Sequence, residues 1–112
     1  MLAAFALEVK LFPDRTPSST IAINKHAQFR PHRDNGAGNG QSVSLIVGLG
    51  EYIGGEVIIE NEIHDIRNGV EFDGWSDRHW TAPFVGERYS LVWFTPMGVV
   101  LNDLWWWENR VE

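Results

Sequence analysis

An all-β domain is the fold class this sequence predicts, from three observations. Apolar runs rich in Val, Ile, Phe, Tyr and Trp are short, as strands are. Eleven Gly and five Pro sit at the ends of those runs, where turns need them. The balance of 44% hydrophobic and 21% charged residues over 112 positions suits one globular domain with a modest core, not a disordered or fibrous segment.

Taken in order, residues 1–13 carry a mixed apolar pattern that fits a short helix or an edge strand equally well. DRTPSS at 14–19 is turn material. Apolar-rich runs then read as strands at 19–24, 27–32, 42–49, 55–60, 62–67, 69–73, 78–84 and 88–95. The connections NGAGNG at 35–40, GLGEYIGG at 48–55 and GW at 74–75 supply turn chemistry between them. About eight such strands closing on one another make a barrel or a double-sheet jelly roll of the cupin kind, which hides strand edges and leaves a pocket at one open end. The expected organisation is therefore a single domain over 1–112 with its core at 19–95, a short N-terminal element and a tail at 97–112. Trp105, Trp106 and Trp107 in that tail are expected to pack against the barrel's outside or to support self-association, ahead of stacking on substrate. A chain that starts and stops so close to its core also fits a domain excised from a larger enzyme.

Composition excludes several functions. With no cysteine there is no disulfide framework, thiolate zinc site or thiol nucleophile, so any metal must be held by nitrogen and oxygen. A net charge of -6 disfavours general attraction to phosphate backbones. Lys25, His26, Arg30 and Arg33 run against that trend and can form either a basic mouth for an anionic substrate or a solvated loop face. The apolar stretch Leu2 to Leu7 is far short of the ~20 residues that cross a bilayer and lacks a preceding basic region. A soluble, cytoplasmic or otherwise intracellular protein without membrane contact is the expectation.

The residues that carry chemistry begin with Pro31-His32-Arg33-Asp34. In extended backbone, positions i and i+2 share a face, so the His32 imidazole and the Asp34 carboxylate can converge on one ion. A third ligand from a distant strand completes a two-His, one-carboxylate facial triad, which leaves cis positions open. This signal is weak alone, because a His two residues before an acid is common by chance. The run RHWTAPFVGERYSLVWF at 78–94 adds His79 on one expected strand, a turn through Pro83 and Gly86, and Arg88 with Ser90 on one face of the next. Arg88 offers a planar fork and Ser90 a further donor, a pair suited to a carboxylate. Their plain alternatives are an ion pair of Arg88 with Glu87 or another acid, and a Ser90 hydroxyl satisfied by local backbone. His64 directly precedes Asp65, which sends the two side chains to opposite faces, so it is not expected to bind metal. His26 has nothing to pin it beyond a place at the rim.

His32-x-Asp34, Gly54-Gly55-Glu56 opening a strand, and His79 followed by Arg88-x-Ser90 together resemble the iron(II)- and 2-oxoglutarate-dependent dioxygenase family. That family's core is a double-stranded β-helix, and the matched pieces lie within residues 19 to 95. The resemblance implies that His32, Asp34 and His79 bind Fe(II), while Arg88 and Ser90 hold the distal carboxylate of 2-oxoglutarate and Asn24 donates to the same co-substrate. It further implies consumption of O2, release of succinate and hydroxylation or demethylation at a C–H bond, with the cofactor supplying the radical chemistry. The run SLIVGLGEYIGGEV is similar to prolyl-hydroxylase-like members and to the branch that oxidises DNA bases. A protein side chain or small molecule is the favoured substrate given the acidic charge, and nucleic acid stays open. Gly36-Ala37-Gly38-Asn39-Gly40 lacks the Lys-Ser/Thr of a phosphate loop and fits a mobile loop that closes over substrate. A non-catalytic jelly-roll binding module is the rival from another class, and loss of the triad would mark it.

Overall fold

A computed structural model describes residues 2–34 and 40–97. Loop residues 35–39 and the tail from 98 onward, including Trp105 to Trp107, lie outside the described residues.

Leu2–Leu11 forms a helix, α1, settling the N-terminal segment in favour of helix. Its Ala, Leu, Glu and Lys residues are strong helix formers, and Pro13 stops it because a proline ring cannot continue the hydrogen-bond ladder. Nine strands follow among the described residues: β1 (Thr20–Lys25), β2 (Ser44–Leu49), β3 (Tyr52–Gly54), β4 (Val57–Ile59), β5 (Glu62–His64), β6 (Val70–Phe72), β7 (His79–Thr81), β8 (Phe84–Gly86) and β9 (Tyr89–Phe94). They form antiparallel sheets ordered β1-β9-β2-β6, β5-β4-β7 and β3-β8. The all-β expectation holds at this level. No described helix is long and apolar enough to cross a membrane.

The four-stranded sheet is covered on both faces. On one, Leu45, Val47, Leu91 and Trp93 pack with Leu7 and Phe12, and the Trp93 indole N–H donates to the Ala4 carbonyl at 3.0 Å. On the other, Ile46 and Phe72 meet Val57 and Ile59 of the three-stranded sheet, with Ile66 closing the cluster. Coverage of both faces explains why β2 reads SLIVGL without polar alternation: residues 44–48 are all buried.

Two expected strands and two expected connections need correction. Residues 27–32 are not a strand; His26 takes a φ of 54°, Pro31 has no N–H to give, and within the expected span only an isolated bridge from His32 to His79 forms. The run at 62–67 ends at His64, because Asp65 caps a 3-10 turn over Ile66–Asn68 by accepting from the Arg67 backbone N–H at 3.0 Å. GLGEYIGG and the Pro83–Gly86 turn are not connections throughout: each contributes a three-residue strand, pairing Tyr52 with Gly86 and Gly54 with Phe84.

Candidate metal centre

His79 opens β7, and its neighbour across the isolated bridge is His32, with reciprocal backbone bonds of 3.1 and 2.9 Å. Asp34 follows two residues later, its N–H donating to the Gly74 carbonyl at 2.8 Å. These bonds bring two imidazoles and a carboxylate together although the segment bearing His32 and Asp34 is irregular. Ligand atoms of His32, Asp34 and His79 all lie within 4.8 Å of one another, and Asp34 Oδ1 is 3.3 Å from Nε2 of each histidine. Two donors in cis positions on a six-coordinate ion with ~2.1 Å bonds stand about 3.0 Å apart, so the cluster needs little adjustment to take a metal.

The tautomers suit that use. His32 Nδ1 lies 2.7 Å from the Arg30 carbonyl and His79 Nδ1 lies 2.8 Å from the Asp77 carbonyl. A carbonyl only accepts, so both Nδ1 atoms carry a proton, and Nε2 is the nitrogen each imidazole turns to Asp34: it donates to the carboxylate while protonated and is the atom free to bind a metal once that proton leaves. Outer hydrogen bonds of this kind orient metal-binding imidazoles and raise their basicity. Burial works to raise the Asp34 pKa, but the His79 hydrogen bond and charge, the Gln41 hydrogen bond and the His32 charge outweigh it and hold the carboxyl below its ordinary value. Burial likewise works to lower the His79 pKa, and the Asp34 hydrogen bond with the Asp77 carbonyl outweighs it, leaving the imidazole above its ordinary value. The donor set of two nitrogens and one oxygen fits iron(II) and other divalent first-row metals.

A cleft of about 690 Å³ contains the cluster. Its walls bring His32, Asp34 and His79 together with Asn24, Arg88 and Ser90, so all six expected site residues line one space. Ile46, Val57, Phe72 and Val92 make its apolar lining, and Phe29 and Trp80 add aromatic surface. Arg88 is 1% exposed. Its guanidinium donates to the Gly55 carbonyl at 2.9 and 3.2 Å and to the Ala27 carbonyl at 3.4 Å, and among the described residues it makes no ion pair. The expected alternative of a pair with Glu87 is not formed. Burial pushes its pKa down. Glu56 acts on it from beyond ion-pair distance, so the guanidinium is left without a direct acidic contact among the described residues, and an anion entering the cleft could supply one. Ser90 is also 1% exposed, and Asn24 Nδ2 approaches its Oγ at 3.5 Å.

Gly55 explains the Gly-Gly-Glu motif physically. Its φ is 71°, and a Cβ there would sit 2.6 Å from Arg88 Nε, so only glycine lets the guanidinium pass. Of the basic residues near the motif, Arg33 alone lines the cleft, held by the Ser76 carbonyl at 2.8 Å. His26 is exposed beside Phe84 and Tyr89, and His64 faces Glu62 at 3.7 Å; neither joins the cluster. No family model matches this chain, and a search of curated proteins finds none similar to it. Sequence reasoning missed Gln41 and Gly74, which surround the second oxygen of Asp34, and Tyr52, whose ring is within cation–π distance of Arg67 and Arg88. Position was the one available signal for Gln41, just past the glycine-rich loop that follows Asp34.

Proposed function

We propose that this chain is an Fe(II)- and 2-oxoglutarate-dependent dioxygenase built on a double-stranded β-helix, hydroxylating a C–H bond of a protein side chain or small molecule. One observation carries the reading: a single cleft holds both a His-Asp-His cluster with its ligand atoms within 4.8 Å of one another and a buried guanidinium that makes no ion pair among the described residues. The first suits a metal with open cis positions, and the second suits the far carboxylate of a diacid that chelates that metal.

His32, Asp34 and His79 would hold the iron, and Arg88 with Ser90 would hold the distal carboxylate, Asn24 keeping the Ser90 hydroxyl in place. Arg88 gives charge and a fork; its two bonds to Gly55 fix the direction of that fork before a ligand arrives. The apolar walls would pack against the aliphatic part of a bound substrate, and Phe29 and Trp80 offer it flat surface. Bound iron would supply the redox step, in which O2 and 2-oxoglutarate give succinate and CO2 and one oxygen atom enters the substrate C–H bond.

Anaerobic addition of Fe(II) and 2-oxoglutarate should give a weak visible charge-transfer band. His32→Ala should abolish it. Arg88→Ala should weaken 2-oxoglutarate binding by roughly 10- to 150-fold, the worth of a charge-assisted hydrogen bond of about 1.5–3 kcal/mol. Folding of each variant is checked by circular dichroism. A folded wild-type protein that gives no band refutes the oxygenase reading and favours a binding module.

A further inference from the structure

The two oxygens of Asp34 stand in different surroundings. Oδ1 faces Nε2 of His32 and His79, each at 3.3 Å. Oδ2 is turned away and accepts from Gln41 Nε2 at 2.9 Å. That same amide nitrogen also donates to Ser44 Oγ at 3.1 Å. Both amide hydrogens are therefore used, and because a carboxylate only accepts, the nitrogen and not the amide oxygen must face Asp34.

The donor is itself held. Gln41 is 8% exposed, and its backbone is pinned to the end of β9 by Ser42 N–H to the Thr95 carbonyl at 2.8 Å and Met97 N–H to the Gly40 carbonyl at 2.9 Å. Gly74 closes the other side of Oδ2. A Cβ there would lie 2.2 Å from that oxygen and 3.2 Å from Gln41 Nε2. The carboxylate thus sits in a slot one atom wide, its plane set by an amide on one side and by glycine backbone on the other.

Carboxylates bind hard cations through one oxygen or through both. A carboxylate free to rotate can swing its second oxygen onto the metal and take a further coordination position. A chelating co-substrate together with dioxygen needs three open positions beside a facial triad. We propose that Gln41 is a positioning residue that keeps Asp34 bound through Oδ1 alone, reserving for exogenous ligands the position that Oδ2 would otherwise fill. This rests on the metal-centre reading above and assigns Gln41 no contact with the metal.

The test uses the full chain loaded with Mn(II), whose exchangeable metal-bound waters are counted by water-proton relaxation. Gln41→Met keeps the bulk and removes the donor; Gln41→Asn keeps an amide on a shorter arm and serves if the first variant does not fold. The wild type should show one more exchangeable water than either variant. Anaerobic 2-oxoglutarate chelation, followed by its visible band on Fe(II), should weaken by roughly tenfold or more in the variants, as loss of outer-shell partners generally does. Variants that keep the wild-type water count and band would overturn the proposal and leave Gln41 a packing residue. A wild-type protein that binds Mn(II) and shows the water difference, yet gives no band with 2-oxoglutarate, would uphold the positioning role while refuting the co-substrate. Failure of the wild type to bind metal at all would overturn both.

Discussion

Tyr52 carries the single buried side-chain polar atom that lacks a hydrogen-bond partner among the described residues, its Oη. The ring centroid lies 4.1 Å from the Arg67 guanidinium carbon and 5.7 Å from that of Arg88, so the ring meets two positive charges. The hydroxyl ends against Gly48, where a Cβ would be 2.3 Å away. Leaving such a group dry costs about 1–3 kcal/mol, whereas the ring's packing and cation contacts do not need the hydroxyl. Tyr52→Phe is therefore expected to raise stability by roughly 1 kcal/mol, read as a higher urea midpoint at unchanged slope. A lower midpoint would mean that the hydroxyl has a partner and that the cost is not being paid.

At the scale of elements, α1 is fastened by one acid. Glu8 is 1% exposed and accepts from the Ser18 backbone N–H at 2.8 Å, the Ser18 hydroxyl at 2.7 Å and Arg15 Nε at 2.8 Å. Arg15 continues to Glu71 at 2.9 Å and to the Val43 carbonyl at 2.6 Å, tying the helix to β6 and to the approach to β2. Burial works to raise the Glu8 pKa, and these bonds outweigh it, so the folded value lies below the ordinary 4.5. A depressed carboxyl stabilises the folded state above its unfolded pKa and loses that contribution as pH falls through the folded value. Chemical denaturation between pH 6 and about pH 3 should show wild-type stability dropping below the ordinary carboxyl range. Glu8→Gln should be less stable at neutral pH and flatter across that window; parallel curves would show that Glu8 does not set the slope. How much was legible in the sequence follows from the same distinction between local and distant causes. Strands β1, β2 and β9 were legible because each is an apolar run bounded by turn residues. Helix α1 was not, since an apolar stretch of ten residues has no clear period and its state is decided by Trp93 and Ser18, far along the chain. His32, Asp34, His79, Arg88 and Ser90 were legible as types at spacings. The first two do converge as their i, i+2 spacing suggested, but not at the end of a strand over 27–32: a bridge to His79 and a bond to Gly74 hold them in place. Gln41, Gly74 and Tyr52 were invisible for a related reason: their contacts arise from sheet register and loop packing, which local periodicity does not encode.

At the scale of the whole molecule, the cluster ties an irregular segment to a sheet. Residues 27–34 reach the rest of the fold through few backbone bonds: His32 to His79, Asp34 to Gly74, and Thr81 N–H to the Phe29 carbonyl at 3.0 Å. The cores on either face of the four-stranded sheet do not include this segment. A metal held by His32 and Asp34 on one side and His79 on the other would act as a cross-link between the segment and β7, and its binding energy would add to folding energy. At a free metal concentration of about 100 times Kd the gain is about 2.7 kcal/mol. For a domain of this size that corresponds to a rise in Tm of roughly 10 °C. Chelator should reverse the rise, and His79→Ala should abolish it while changing the metal-free Tm less. An equal rise in His79→Ala would place the metal elsewhere on the molecule. No rise in the wild type at saturating metal would mean that the unfolded chain binds the ion as tightly as the folded one, or that the segment and β7 do not share an ion. Direct measurement of metal stoichiometry on the folded and the urea-unfolded chain separates those two outcomes: one ion bound in both states supports the first, and none bound to the folded chain supports the second.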